Sequence, residues 1–373
     1  MIYLDNSATT PIRAEVADLV CEYSKVNFYN PSSVYSVALK VKRDIADCKA
    51  RLLSLLNANK QDNIVFTASA TEANNLALIG AARKNKKVLL SSGEHPSVFE
   101  TAKYLQNLGF DVDFVALGKD GTVDLSDLER KMDSSVGLVS IIHVSNETGA
   151  INDLKEIGKI IKRKNPSCVF HSDGVQAFGK VSENLLDWGV DLYTMSSHKI
   201  HGPKGVACLY VKSGINLKPI IFGGGQEGGL RSGTENPAGI MGFALASKLM
   251  YKDFDQKRAH IAQLKQTLLS LLKSSGLKYI INGNNTLDNI ASISFIGLKG
   301  EVLLHALEKH GIFVSTGSAC SSKSVGNRVL SAIGLDKPHM EGNIRISFSE
   351  FNTLDDVLSL VEALKQEIKS LVR

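Results

Sequence analysis

From about residue 60 to 215 the chain alternates short, wholly apolar runs with stretches of helical periodicity. The runs fall at 64–66, 88–90, 112–117, 138–144, 168–171, 192–195 and 206–211. A strand that buries one face alternates apolar with polar residues, whereas a strand covered on both faces is apolar throughout. Between the runs, Val98, Thr101, Ala102, Leu105 and Leu108 form one helical stripe, with Pro96 near its start and Gly109 just past its end. Asp153 starts another, with Ile157, Ile160 and Ile161 facing inward. Strands alternating with helices predict a mostly parallel sheet in an α/β domain.

After residue 257 the pattern changes. A helix is expected over 260–273, a strand over 290–295, a helix over 301–309 stopped by Gly311, and a strand over 344–348. A last helix begins at Thr353, with Leu354, Val357, Leu358, Val361, Leu364 and Ile368 at helical spacing. This reads as a smaller α+β domain, and 373 residues suit two domains. The expected division is a large domain over 14–257 and a small one made of 1–13 with 258–373. No internal repeat or low-complexity linker interrupts the chain, and the longest breaker-rich stretch is 223–237.

Composition narrows the function classes. With 43% hydrophobic and 22% charged residues, a packed core is expected. The net charge of +5 is spread along the chain. Its densest runs, 83–87 and 159–164, lie in or beside helical patterns and read as solvated helix ends, not a nucleic-acid surface. No apolar run approaches the roughly 18 residues a membrane span needs. The N-terminus carries Asp5 and no basic, apolar leader pattern, so a cytoplasmic location is expected. The cysteines, Cys21, Cys48, Cys168, Cys208 and Cys320, are odd in number and none are close in sequence. That excludes paired zinc ligands, argues against a disulfide framework, and leaves any thiol chemistry to a single cysteine. No metal site is expected.

Polar residues gather just past the apolar runs. Lys199 lies in a turn after the run at 192–195, between Ser196-Ser197-His198 and a tight segment holding Gly202, Pro203 and Gly205. It reads equally as a solvated loop lysine or as a nucleophile for a carbonyl. Asp173, in the segment running on to Gln176, either caps a turn or pairs with a protonated ring nitrogen. Ala70, Thr71 and Glu72 lead into a helix running on from Ala73; Thr71 serves as its cap with Glu72 in the first turn, as an anion site, or both. His95 and Asn146 end two further strands. Each residue alone says little. In open α/β sheets, however, ligands bind at the carboxyl ends of the strands, and five polar residues at one edge form the pattern of a built site.

Cys320 stands apart, in Ser315-Thr316-Gly317-Ser318-Ala319-Cys320-Ser321-Ser322, a small and polar stretch without apolar periodicity. An exposed, working thiol is expected there, while the other four cysteines lie in helical or strand patterns and read as packing residues.

With these residues in hand, the sequence resembles the cysteine desulfurases, in the class V branch of fold-type I pyridoxal-phosphate enzymes. The similarity runs from Tyr3-Leu4-Asp5-Asn6-Ser7-Ala8-Thr9-Thr10-Pro11 and Asn30-Pro31-Ser32-Ser33 through the segments above. It continues with Gly223-Gly224-Gly225-Gln226-Glu227 and Arg231-Ser232-Gly233-Thr234, and ends with the Cys320 stretch and Asn343-Ile344-Arg345. The order and spacing of these motifs carry the specificity.

The resemblance implies a role for each position. Lys199 would form the Schiff base with pyridoxal 5'-phosphate, and Asp173 would pair with the ring nitrogen. His95 would stack on the ring and move protons. Gln176 would bond the ring hydroxyl oxygen, with Asn146 beside it and the substrate. Ala70, Thr71, Ser196 and His198 would hold the phosphate, with Ser197 in the same turn. Thr234 would reach the phosphate from a second subunit, making the protein a homodimer. Arg345 would clamp the substrate carboxylate. Cys320 would take sulfur from L-cysteine as a persulfide, releasing alanine, and pass it to an iron–sulfur scaffold or a tRNA- or thiamine-thiolation protein. Selenocysteine lyase and class V aminotransferase are the alternative activities.

Overall fold

In a computed structural model the described residues are 1–316 and 328–371. Seven strands form the central sheet: β1 (Asn63–Thr67), β2 (Lys87–Ser91), β3 (Val112–Val115), β4 (Val136–Ser140), β5 (Val169–Asp173), β6 (Leu192–Ser196) and β7 (Ala207–Val211). Their order across the sheet is β1-β7-β6-β5-β4-β2-β3. All run parallel except β7, which is antiparallel to both its neighbours. The exception has a physical cause. Only residues 197–206 separate β6 from β7, and a parallel return needs a crossover of about a dozen residues or more.

Nine helices of eight residues or more occur among the described residues: α1 (Ala14–Lys25), α2 (Ser36–Leu55), α3 (Ala70–Ala81), α4 (Pro96–Asn107), α5 (Leu154–Lys164), α6 (Pro237–Tyr251), α7 (Phe254–Ser274), α8 (Gly300–Glu308) and α9 (Leu354–Leu371). Successive strand residues point to opposite faces, so the apolar runs divide between two cores. Ile64, Phe66, Leu89 and Val139 pack with α2, α5 and α6 on one side. Val65, Val88, Leu90 and Leu138 pack with α3 and α4 on the other. Double coverage is why these strands read as unbroken apolar runs.

A second sheet, ordered β10-β9-β8, is antiparallel and consists of β8 (Tyr279–Ile281), β9 (Ile290–Phe295) and β10 (Asn343–Ser347). Its apolar cluster joins Ile293 and Ile344 to Leu264 and Leu268 of α7 and to Val357, Leu360 and Val361 of α9. Leu4, at the other end of the chain, is buried in the same cluster. The Ser347 amide donates to the Leu4 carbonyl, which ties the N-terminal segment to β10.

Several boundaries differ from the sequence reading. The run at 112–117 forms β3 only over Val112–Val115, with Leu117 in an isolated antiparallel bridge to Val123, and the run at 138–144 forms β4 over Val136–Ser140. Helix α7 begins at Phe254, not residue 260. Helix α9 starts beside Thr353, which caps it: its Oγ1 accepts from the Asp356 amide at 3.2 Å, and Asp356 accepts in return from the Thr353 amide at 3.0 Å. Helices α1, α2 and α6 had no counterpart in the sequence reading. Helix α6 is apolar nearly all round and rich in glycine and alanine, so it shows no stripe for a periodic pattern to reveal. No described helix is long and apolar enough to cross a membrane.

Candidate active site

The carboxyl ends of five strands open on one cleft of about 470 Å³. Ser69, Ala70 and Thr71 follow β1, His95 and Ser97 follow β2, and Asn146 and Glu147 follow β4. Asp173 ends β5 with Gln176 just beyond it, and Ser196, His198 and Lys199 stand at the end of β6. Asp5, Ser7, Ala8 and Thr9 close one side, and Ser315, Arg328 and Arg345 close another.

Asp173 is buried at the tip of β5. Its Oδ2 accepts from Asn74 Nδ2 at 2.8 Å and its Oδ1 from the Val175 amide at 3.0 Å. Asn74 reaches from α3 and also donates to Ser97 Oγ at 2.8 Å, so one side chain braces two walls of the cleft. The next residue must be glycine. A Cβ on Gly174 would lie 2.0 Å from Cζ of Tyr193.

Lys199 ends a single 3₁₀ turn, Ser197–Lys199. Its Nζ donates to the carbonyls of Ser7 and of Ala8, the latter at 2.7 Å. Thr10 fastens the same N-terminal segment to this turn: its Oγ1 donates to the His198 carbonyl at 3.0 Å and accepts from the His201 amide at 2.8 Å. The chain's first residues are therefore part of the site. Ser197 is buried but does not line the cleft; its Oγ lies 2.0 Å from where a Cβ on Gly202 would sit.

At one end of the cleft stands the N-terminus of α3. Its cap is Ser69, not Thr71 as the sequence reading has it, since Ser69 Oγ accepts from the Glu72 amide at 3.1 Å. Glu72 folds back to accept from the Ala68 amide at 2.9 Å and from Arg231 Nε at 2.8 Å. Two hydroxyl-bearing positions two residues apart could each start this helix, and only the backbone decides between them. Thr71 and Ala70 then occupy the first turn, facing the cleft. His198 lies with Nδ1 at 3.1 Å from Thr9 Oγ1. Burial, with Lys199 and Lys204 nearby, pushes its pKa down to about 4 and keeps it neutral.

His95 caps α4 through Nδ1, which accepts from the Ser97 amide at 3.1 Å and lies 2.8 Å from Ser97 Oγ. With Nδ1 engaged as an acceptor, a neutral ring carries its proton on Nε2. Burial holds its pKa below the usual imidazole value, against the pull of Asp173. Gln176 donates from Nε2 to the Ser7 carbonyl at 2.9 Å, and its Oε1 accepts from Lys180 Nζ at 3.1 Å.

Arg345, on β10, is buried. It donates to the Asn146 carbonyl at 2.7 Å and pairs with Asp5 Oδ1 at 2.9 Å, while its Nε has no hydrogen-bond partner among the described residues. Burial pushes Glu147 up to about 7, with Arg328 and Arg345 opposing. Thr234 is exposed and does not line the cleft of its own chain. Cys320 lies outside the described residues. Cys48, Cys168 and Cys208 are buried, as expected of packing residues, but Cys21 is exposed on α1.

Sequence reading missed Asn74, Lys180, Asp5 and the Ser7–Thr9 wall. One pattern could have revealed Lys180: it stands four residues after Gln176, a spacing that puts two side chains on one face of a helical turn.

The donors suit a flat heterocycle bearing a phosphate. The cleft lies within the roughly 300–1,000 Å³ common for small-ligand sites. A braced carboxylate, an amine and an imidazole share the cleft. A helix N-terminus with the hydroxyls of Thr71 and Ser196 offers an anion seat. This sheet and this edge are those of the fold-type I pyridoxal-phosphate enzymes. Residues 2–360 match the family model of the class-V aminotransferases, and the chain belongs to that family, whose members depend on pyridoxal phosphate. It is 40% identical over 378 residues to a protein of Archaeoglobus fulgidus named cysteine desulfurase IscS 1, covering 100% of this chain and 98% of that one. A solved NifS-like protein has a TM-score of 0.92 and 33% identity, with 99% of each chain covered. SspA, solved in complex with cysteine, has a TM-score of 0.83 and 29% identity over 95% of this chain and 100% of that one.

Proposed function

We propose that this chain is a pyridoxal-phosphate-dependent cysteine desulfurase that moves sulfur from L-cysteine to Cys320 and on to a protein acceptor. The observation that carries the reading is the meeting of Lys199, Asp173, His95 and Arg345 in one cleft, in a chain whose full-length relatives are named for this activity.

When bound, the cofactor supplies an electron sink that makes the bonds at the substrate's α-carbon labile. Lys199 would hold the cofactor through its aldehyde carbon. Asp173, kept in place by Asn74 and the Val175 amide, would face the ring nitrogen and favour its protonated form. Ala70, Thr71, Ser196 and His198 seat the phosphate, with Ser197 shaping their turn from below. Gln176 meets the ring hydroxyl oxygen, and Asn146 stands beside the substrate. His95 passes a proton at Nε2. Arg345 receives the substrate carboxylate through its forked donors.

Cys320 then acts as nucleophile. Its thiolate attacks the substrate sulfur; the sulfur–sulfur bond forms as the carbon–sulfur bond breaks. The electron pair left on the substrate's β-carbon takes up a proton, giving alanine. No outside oxidant or reductant is needed. Ser315 and Arg328, on either side of the stretch that holds Cys320, both line the cleft. Burial pushes the thiols of Cys48 and Cys168 up to about 11 and about 12 and raises that of Cys208 well above the ordinary thiol value, which makes them poor nucleophiles. Cys21 is exposed but lies outside the cleft.

The remaining assignments belong to the same reading. Residues 14–257 bind the cofactor, and 1–13 with 258–373 form the smaller unit. The enzyme is a cytoplasmic homodimer in which Thr234 completes the partner's phosphate seat, and the acceptor is an iron–sulfur scaffold or a thiolation protein.

The test is an absorbance spectrum of the purified protein with pyridoxal phosphate, repeated after adding L-cysteine, with alanine quantified in the same sample. A cofactor band that changes with cysteine while alanine appears supports the reading. A protein that takes up no cofactor, or a Lys199→Ala variant that still turns over cysteine, contradicts it.

A further inference from the structure

Lys180 is a lysine the chemistry above does not use. It is almost wholly buried, on the turn that runs on from Asp173. Its amide donates to the Ala177 carbonyl at 2.8 Å, which closes that turn and sets Lys180 over Gln176. Its Nζ makes one hydrogen bond among the described residues, to Gln176 Oε1 at 3.1 Å. No carboxylate pairs with it there. The titratable and charged groups around it are Lys199, Arg345, His198 and His201, each cationic when protonated.

An ammonium group donates and cannot accept. Facing Lys180, Gln176 must therefore present its oxygen and turn its NH2 group the other way. That group donates to the Ser7 carbonyl at 2.9 Å, and Ser7 and Gln176 both line the cleft. A glutamine amide left to itself can flip, exchanging donor for acceptor. Against an ionised ring hydroxyl oxygen, which can only accept, the flipped form would set acceptor against acceptor.

We propose that Lys180 is a positioning residue that locks the Gln176 amide with its NH2 toward the cleft and so fixes how Gln176 meets the cofactor's ring hydroxyl oxygen. This rests on the pyridoxal-phosphate reading of the cleft and adds to it a residue that never touches the ligand. Burial lowers the lysine's own pKa to about 7, so the donor-only ammonium that sets the amide is complete below that pH and gives way above it to a neutral amine, which can also accept.

A double-mutant cycle on the cofactor-loaded protein tests it. Pyridoxal phosphate dissociation constants and the absorbance maximum of the bound cofactor are measured for Lys180→Met, Gln176→Ala and the double variant, with thermal unfolding as the control for folding. Lys180→Met is expected to raise the dissociation constant by about tenfold and to shift the maximum in the same direction as Gln176→Ala. In the Gln176→Ala background the lysine change should add less than about twofold. Lys180→Arg, which keeps a donor-only cation, should preserve the wild-type maximum. An unchanged constant and maximum in Lys180→Met, or a full tenfold effect that persists in the Gln176→Ala background, overturns the inference alone. A wild-type protein that binds no pyridoxal phosphate overturns the cofactor reading and this inference with it.

Discussion

Asn74 Nδ2 donates to Asp173 Oδ2 at 2.8 Å, and both side chains are buried. The bond links α3, whose first turn lines the cleft, to the carboxylate that ends β5. Hydrogen bonds to a charged group contribute about 1.5–3 kcal/mol. Asn74→Leu keeps the volume and removes the donor. It should weaken cofactor binding by roughly tenfold or more, read as the dissociation constant of pyridoxal phosphate. Wild-type affinity in this variant would show that the Val175 amide alone holds Asp173.

Gly174 separates Asp173 from Val175 and packs against Tyr193, with no room for a side chain. Gly174→Ala forces either the ring or the turn to move. Overpacking of this kind costs about 1–3 kcal/mol, visible as a lower thermal unfolding midpoint. Because the displaced turn carries both Asp173 and Gln176, cofactor affinity should fall with it. Loss of stability with affinity intact would mean that the ring moves and the turn does not.

Glu94 precedes the site histidine and is buried. Its Oε1 accepts from Ser91 Oγ at 2.6 Å and from the Ile142 amide at 2.7 Å, while Oε2 has no partner among the described residues. Burial pushes its pKa up to about 8; Asp173 pushes the same way, and Ser91, the Ile142 amide and Arg328 oppose. The folded state thus holds a proton that the unfolded chain releases near the ordinary value of 4.5. Stability from this group is complete below that value and is lost as pH rises toward 8. Wild type should therefore lose roughly 2 kcal/mol between pH 6 and 8 relative to Glu94→Gln, which keeps the accepting oxygen and cannot ionise. Denaturant unfolding of both proteins at the two pH values measures this. Parallel pH dependence would show that Glu94 is ionised throughout.

The edge where the cleft lies was legible in the sequence because the sheet is covered on both faces. Ile64 to Phe66 and Val88 to Leu90 each read as apolar throughout, and each is followed within a few residues by a polar group of the cleft. Asn74 was not legible, because an asparagine inside a helix reads as a solvent-facing residue until the helix is docked. The wall at Ser7 to Thr9 was hidden for another reason. It presents backbone carbonyls to Lys199 and Gln176, and a carbonyl has no residue type to recognise. The antiparallel return of β7 could have been foreseen from the short connection at 197–206, which leaves no room for a crossover helix.

The central claim is that Cys320 takes the sulfur. Cys320→Ser replaces the thiol and leaves Lys199, Asp173 and the first turn of α3 untouched. The account predicts that this variant binds pyridoxal phosphate as wild type does and responds spectrally to L-cysteine. It should release alanine at less than about one part in a hundred of the wild-type rate, since removal of a catalytic nucleophile costs orders of magnitude. Mass spectrometry of the wild-type protein after cysteine treatment should find one added sulfur on the peptide that contains Cys320. Alanine release at the wild-type rate from Cys320→Ser, or the added sulfur on a peptide holding a different cysteine, would contradict it.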